Sequence, residues 1–204
     1  MFLKRLFDFF AALVALLILW PVILALGIAV KLDSPGPMLF RQERVGRHGK
    51  IFRIHKLRTM RTDQSGTSMT AKGDARITRV GKFLRHYKLD ELPQFIDVLT
   101  GDMSLVGPRP QPAPHVAHYP PDIREKVLSV RPGLTDLATL EFIDEERILA
   151  QADDIRTAYV EDILPIKLKY CVQYVETRTF WLDIQILWRT ACALLHRIFL
   201  PHRH

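Results

Sequence analysis

The hydropathy pattern is lopsided from its first residues. From Phe9 to Val30 the chain runs for 22 residues without a charge. At a helical rise of about 1.5 Å per residue, that is enough to cross a hydrocarbon core about 30 Å thick. Pro21 stands near the middle of the run. It deletes one backbone hydrogen bond and crowds the preceding turn, so a kink is predicted there. Three arrangements compete. A cleaved signal peptide is disfavoured, because its apolar core is usually about 7–15 residues long and Asp8, Phe7, Phe9, Phe10 and Trp20 are out of place in one. A single spanning helix and a re-entrant hairpin that enters and leaves one leaflet both fit the length. Lys4 and Arg5 precede the run, and Lys31, Arg41, Arg44, Arg47 and Lys50 follow it. Positive residues favour the cytoplasmic side, and the hairpin puts both flanks there. That rule is a bias, and on the residues alone hairpin and span stand level.

After Asp33-Ser34-Pro35-Gly36-Pro37, a turn cluster, the periodicity changes. Met38-Leu39-Phe40 and Ile51-Phe52-Arg53-Ile54, joined through Gly46 and Gly49, predict a short β-hairpin. Residues 61–73 are polar and read as a mobile loop. From Ala75, the residues Ile77, Val80, Leu84 and Tyr87 recur at helical spacing between Arg76, Arg79, Lys82 and Arg85. Pro93 suits the first turn of a helix over Gln94 to Leu99, which Gly101 ends. Val106 to Pro110 is a rigid non-helical segment. Helices follow from Pro121 to Val130, Glu145 to Val160, Pro165 to Glu176 and Phe180 to Phe199. The last is rich in large apolar side chains, with Trp181, Trp188, Arg189 and Arg197. That composition suits a core helix or one lying in a membrane interface.

Charge sharpens this division. The 204 residues hold 29 Lys and Arg against 22 Asp and Glu, a net +7 that looks ordinary. Residues 31–88 hold 15 basic and 4 acidic residues, a net +11, whereas residues 89–204 hold 12 and 17, a net −5. An apolar segment followed at once by a basic region points to an anionic membrane surface or a phosphorylated ligand. A hydrophobic content of 48% excludes a disordered chain. Two Cys exclude a disulfide-stapled scaffold and a Cys-based zinc site.

Walker, Rossmann and nucleophile-elbow motifs are absent, and His48, His55, His86, His115 and His118 lack zinc-ligand spacing. Three groups of residues remain as candidates. Asp90-Glu91, just before Pro93, serve either as first-turn acids that suit a helix dipole or as a carboxylate nucleophile and metal ligand at a helix start. Pro108-Arg109-Pro110 holds an Arg between two fixed φ angles, either as a rigid surface turn or as a fork for phosphate. Lys56 and Arg58 alternate onto one face at the end of the second strand, either solvated or as a phosphate clamp.

In order along the chain, several segments resemble the bacterial monotopic phosphoglycosyl transferases, also called initiating sugar transferases. They are Lys4-Arg5-Leu6-Phe7-Asp8 before the Pro-centred apolar run, Phe40 to Gly46, Phe52 to Met60, Leu89-Asp90-Glu91-Leu92-Pro93-Gln94, Gly101 to Pro110, and Arg131-Pro132-Gly133-Leu134-Thr135. The run from Asp90 to Pro110 is the most specific. The resemblance implies an α+β, mainly helical fold. It would have a re-entrant membrane helix-break-helix over 1–34, broken at Pro21, then one catalytic unit over 35–204 with a β-hairpin and amphipathic interface helices. It implies transfer of a sugar phosphate from a UDP-sugar to polyprenol phosphate at the cytoplasmic face of the bacterial inner membrane, with Mg²⁺. By the same resemblance, Asp90 is the nucleophile, giving a phosphosugar-enzyme intermediate and releasing UMP. Glu91 helps hold the metal, as does Asp90, or assists proton transfer. Lys56, Arg58, Arg85 and Arg109 bind phosphate.

Two positions depart from the family pattern. Trp20 stands where many members have Ser before the Pro. Thr135-Asp136-Leu137-Ala138 stands where many have Thr-Gly-Trp-Ala, which leaves the donor sugar unassigned. The chain reads as a minimal catalytic unit, monomer or homodimer, whose further partners are the lipid bilayer and downstream glycosyltransferases. The contrasting readings are a non-catalytic module for anionic lipid and a nucleic-acid-binding protein. The second needs stacking aromatics, and Phe40, Phe52, Phe83 and Tyr87 are better explained as core, so no nucleic-acid partner is expected.

Overall fold

The computed structural model describes residues 2–61, 74–141 and 155–199. Helix α1 (Phe2–Asp33) takes up the whole apolar segment as one uninterrupted helix with Pro21 inside it. The expected break at Pro21 does not interrupt the helical backbone. Pro21 withholds a single N–H, and the Leu and Ala residues on either side are good helix formers. Among the described residues α1 is the one helix long and apolar enough to cross a membrane. Only Asp8, Ala12, Gly27 and Val30 are buried along it, while Leu17 and Ile18 are 65% and 68% exposed. The middle of α1 therefore has no protein surface to bury it.

Both ends of α1 are tied to the folded body. At the N-terminal end, Arg5 donates to the carbonyls of Val98 and Leu99 at 2.6 and 2.9 Å, and Lys4 pairs with Asp183 at 2.7 Å. The buried Asp8 accepts the Ser104 hydroxyl at 2.7 Å. At the C-terminal end, Gly27 lies so close to Met38 that a Cβ would sit 2.0 Å from its sulfur, and Val30 packs with Leu57 and Leu84.

The predicted hairpin forms and is longer than its apolar residues indicate. Strands β1 (Leu39–Val45) and β2 (Ile51–Leu57) pair antiparallel, with Leu39 opposite Leu57 and Val45 opposite Ile51. Helix α2 (Arg79–His86) starts later than the periodicity predicts, because Thr78 caps it and accepts the Gly81 N–H at 3.0 Å. A short 3-10 segment, Leu89–Gln94, leads into α3 (Phe95–Thr100). Gly101 ends α3 in the left-handed region, φ 90°, as predicted.

Strand β3 (Ser104–Val106) pairs in parallel with β4 (Gly133–Thr135), a pairing the sequence pattern does not reveal. The two segments approach so closely that a Cβ on Gly133 would lie 2.1 Å from the Gly107 nitrogen. The remaining helices are α4 (Ala113–Val116), α5 (Pro121–Leu128), α6 (Leu137–Glu141), α7 (Ile155–Ala158), α8 (Leu164–Thr177) and α9 (Phe180–Phe199). The turn Tyr159–Ile163 joins α7 to α8. Ala12, Val98, Met103, Val106, Tyr174 and Ile186 form the core where α1, α3, β3, α8 and α9 meet. The two readings of α9 divide between its faces. Ile186 is buried, whereas Trp181 and Trp188 are 67% and 71% exposed. The loop expected at 61–73, apart from Arg61, and most of the helix expected at 145–160 fall outside the described residues.

Candidate active site

The 3-10 segment lies against β2 and presents Asp90 and Glu91 to it. The residue before the segment, Lys88, has φ 56°, in the left-handed region. That conformation is costly for a residue with a side chain and is held only where the surroundings enforce it. Asp90 is 1% exposed. Lys56 on β2 places Nζ 2.7 Å from Asp90 Oδ2 and 3.6 Å from Glu91 Oε1. The ammonium is in ion-pair reach but out of hydrogen-bonding alignment, and neither carboxylate oxygen of Asp90 has a hydrogen-bond partner. The Asp90 carboxylate is thus compensated by the Lys56 charge and not by a hydrogen-bond network.

Glu91 is satisfied differently. Its Oε1 accepts from the Arg109 guanidinium. Burial pushes its carboxyl up, but Arg109, Lys56 and Lys88 together hold it well below the usual carboxylate range. Glu91 is therefore an anion at neutral pH. Arg109 is fixed at both ends: its backbone N–H donates to Asp136 Oδ2 at 3.0 Å, and Nη1 reaches the Leu134 carbonyl at 3.4 Å. The Lys56 strand is fixed too. Asp97 on α3 accepts the His55 N–H at 2.8 Å and stands 2.6 Å from the His55 ring nitrogen.

The structure thus gathers Lys56, Asp90, Glu91 and Arg109 in one cluster. Arg85 is placed elsewhere, donating to the Thr59 hydroxyl at 3.0 Å. Arg58 departs most from expectation. It is 2% exposed, and it does not share a face with Lys56 because β2 ends at Leu57. Its guanidinium donates to Pro37 O at 2.7 Å, Ser34 Oγ at 2.6 Å and Ser34 O at 2.8 Å. Arg58 braces the end of α1 instead of facing the carboxylates. Arg58→Gln is expected to lower stability by about 2–4 kcal/mol, since it strands buried carbonyls, and to leave substrate affinity within about twofold. Thermal unfolding and KM measured side by side check this.

Lys88 was missed because a Lys among many basic residues carries no distinguishing pattern. Its backbone conformation and its place near Glu91 and Asp90 single it out; burial pushes its ammonium pKa down.

The donor set also bears on metal binding. Among the described residues, no group of three or more His, Cys, Asp or Glu comes together. Two adjacent carboxylates, one with unpartnered buried oxygens, fit Mg²⁺. That ion is commonly held by one or two carboxylates and substrate phosphates.

The family model for the bacterial sugar transferases matches residues 1–197. The chain is 38% identical over 198 residues to a UDP-N-acetylgalactosamine-undecaprenyl-phosphate N-acetylgalactosaminephosphotransferase of Aeromonas hydrophila, covering 95% of this chain and 44% of that one. It is 41% identical over 202 residues to a UDP-glucose:undecaprenyl-phosphate glucose-1-phosphate transferase of Xanthomonas campestris, covering 94% and 38%. A protein of the same name from Caulobacter vibrioides is 41% identical over 198 residues, covering 94% of this chain and 69% of its own length. The chain therefore spans less than half the length of the first two relatives. With nearly all its residues matched, and the dyad and its cations brought together in the fold, the chain belongs to the bacterial sugar transferase family.

Proposed function

We propose that the protein transfers a sugar 1-phosphate from a UDP-sugar to undecaprenyl phosphate. The observation that carries this reading is the buried Asp90 carboxylate, held 2.7 Å from the Lys56 ammonium beside an ionised Glu91. Such a carboxylate is an activated oxygen nucleophile, poorly solvated and oriented by a cation. An Asp90 oxygen attacks the phosphorus that carries the sugar. The bond from that phosphorus to the bridging oxygen breaks, and UMP leaves with the electron pair. A phosphate oxygen of the polyprenol phosphate then attacks the same phosphorus and returns Asp90 to its carboxylate. No net proton is needed. Lys56 and Arg109 neutralise phosphate oxygens and hold them in line, which is most of what phosphoryl transfer requires. Mg²⁺, held by Asp90 and Glu91, would add further neutralisation of phosphate charge. The relatives named above act on two different donor sugars by their names, so the sugar is left open.

The membrane placement follows from the same fold. Both ends of α1 are bound to one folded body, which supports a re-entrant helix over 1–34, bent at Pro21, with both ends on one side. The basic flanks favour the cytoplasmic side. The exposed Trp181 and Trp188 face of α9 supports contact with the membrane interface. Residues 35–204 would then form the catalytic unit beneath it.

The test is a panel of UDP-sugars with undecaprenyl phosphate and Mg²⁺, read by UMP release. One or more donors should turn over, and EDTA should stop the reaction until Mg²⁺ is restored. Failure of every donor, with an intact fold, would overturn the reading.

A further inference from the structure

One half-buried cation near the site has, among the described residues, no ion-paired carboxylate of its own. Arg44, on β1, stretches its guanidinium towards the segment that carries Arg109. Its Nη1 donates to the Pro110 carbonyl at 3.3 Å and its Nη2 to Gln42 Oε1 at 2.6 Å. Its Nε is buried and has no hydrogen-bond partner. Its charged neighbours are Arg109 and Glu91, and the Glu91 carboxylate already accepts from Arg109 and stands within reach of Lys56.

Two guanidiniums thus converge on the neighbourhood of the Glu91 carboxylate. Like charges repel, and a buried donor with no acceptor is an unmade hydrogen bond. Burial, reinforced by Arg109, pushes the Arg44 pKa down to about 10, so the group is charged at neutral pH. A doubly charged oxyanion set between the two Arg side chains would relieve the repulsion and satisfy Nε. Planar guanidiniums are well suited to grip such a group.

On the proposed function, which this inference presupposes, the substrate brings two phosphates. One is attacked by Asp90, beside Lys56. The other is linked to the nucleoside and gains charge as it leaves. We propose that Arg44 and Arg109 together bind this leaving nucleoside-linked phosphate, which makes Arg44 a second phosphate ligand on the side of Glu91 that faces Arg109. The sequence places Arg44 only among the basic residues that follow the apolar segment. Its pairing with Arg109 becomes visible only once the hairpin is folded against Pro110.

The alternative is that Arg44 merely steadies the Pro108-Arg109-Pro110 segment through Pro110. Titration calorimetry of UMP into the full chain in detergent with Mg²⁺ separates the two. Arg44→Gln should weaken UMP binding by about 10- to 100-fold, with KM for undecaprenyl phosphate unchanged. Arg44→Lys, which keeps charge and bulk but loses the fork, should fall between. The deciding measurement is Arg44→Gln in an Arg109→Gln background. A ligand of phosphate still weakens UMP binding there, whereas a residue that acts only by placing Arg109 has nothing left to place. Loss of the effect in that background would overturn the inference, as would UMP binding by Arg44→Gln within twofold of the unaltered protein, or no UMP binding by the unaltered protein at all. Because calorimetry needs no turnover, a failed donor panel would count against the proposed function while the UMP titration still decides the role of Arg44.

Discussion

Asp90→Asn is expected to lower UMP release by at least about a thousandfold, the usual scale for removing a nucleophile, while the protein stays folded. The substitution keeps the shape of the side chain. The one close polar contact it weakens is the 2.7 Å ion pair with Lys56. Lys56 keeps Glu91 at 3.6 Å as a partner, so no cation is stranded. The melting temperature should therefore stay near that of the unaltered protein. Labelled sugar phosphate gives a second readout. Incubated with labelled UDP-sugar and no acceptor, the unaltered protein should retain label covalently, and Asp90→Asn should retain none. Label on the Asn variant would place the nucleophile on another residue. Glu91→Gln should behave differently, because Arg109 would lose its carboxylate partner, and the loss of activity should come with a loss of stability.

The elements most legible in the sequence were those whose cause is local. The 22 uncharged residues make α1 whatever else the chain does. Gly101 ends α3 because a left-handed residue is needed there and glycine adopts it freely. Alternation located the β-hairpin but not its full extent. Arg41, Gln42 and Glu43 continue β1 because β2 pairs with them, and their own polarity argues against a strand. The parallel pairing of β3 and β4 joins residues almost thirty positions apart through three-residue strands, too short to show a period. Gly107 and Gly133 hinted at a close approach without naming each other.

The site divides along the same line. Asp90, Glu91 and Arg109 stood out because adjacent acids before a Pro, and an Arg between two Pro residues, are unusual patterns. Lys56 stands against Asp90 and Glu91, but its face was argued jointly with Arg58. Alternation holds only while the strand lasts, and the chain leaves β2 at Leu57. Arg58 then turns to the carbonyls of Ser34 and Pro37, just past the end of α1. Lys88 and Arg44 were lost among 15 basic residues in one stretch of chain. A local excess of one charge marks a region for anions and hides which of its members face them.

Arg109→Gln is expected to cost about 100- to 1,000-fold in kcat/KM, the range typical of losing one preorganised donor to developing charge. The size of the effect follows from how firmly this side chain is held. Pro108 and Pro110 fix the backbone on both sides. Asp136 accepts the Arg109 N–H and, through its other oxygen, the Thr139 N–H at 2.6 Å, so it joins the segment to the start of α6. The guanidinium is then anchored by Leu134 O and Glu91. Little rearrangement is left to pay for when phosphate arrives, and what a Gln cannot supply is the charge and the fork. Arg109→Lys tests which of these matters. If charge alone sufficed, Lys would restore activity to within a few-fold. The geometry argues otherwise, because Lys is a single point donor that cannot hold Leu134 O, Glu91 and a phosphate together. Arg109→Lys should therefore lie much closer to Gln than to Arg in kcat/KM, with the melting temperatures of both variants only a few degrees below that of the unaltered protein. Near-full activity in the Lys variant would show that charge, rather than the rigid fork, is what the Pro-Arg-Pro segment delivers.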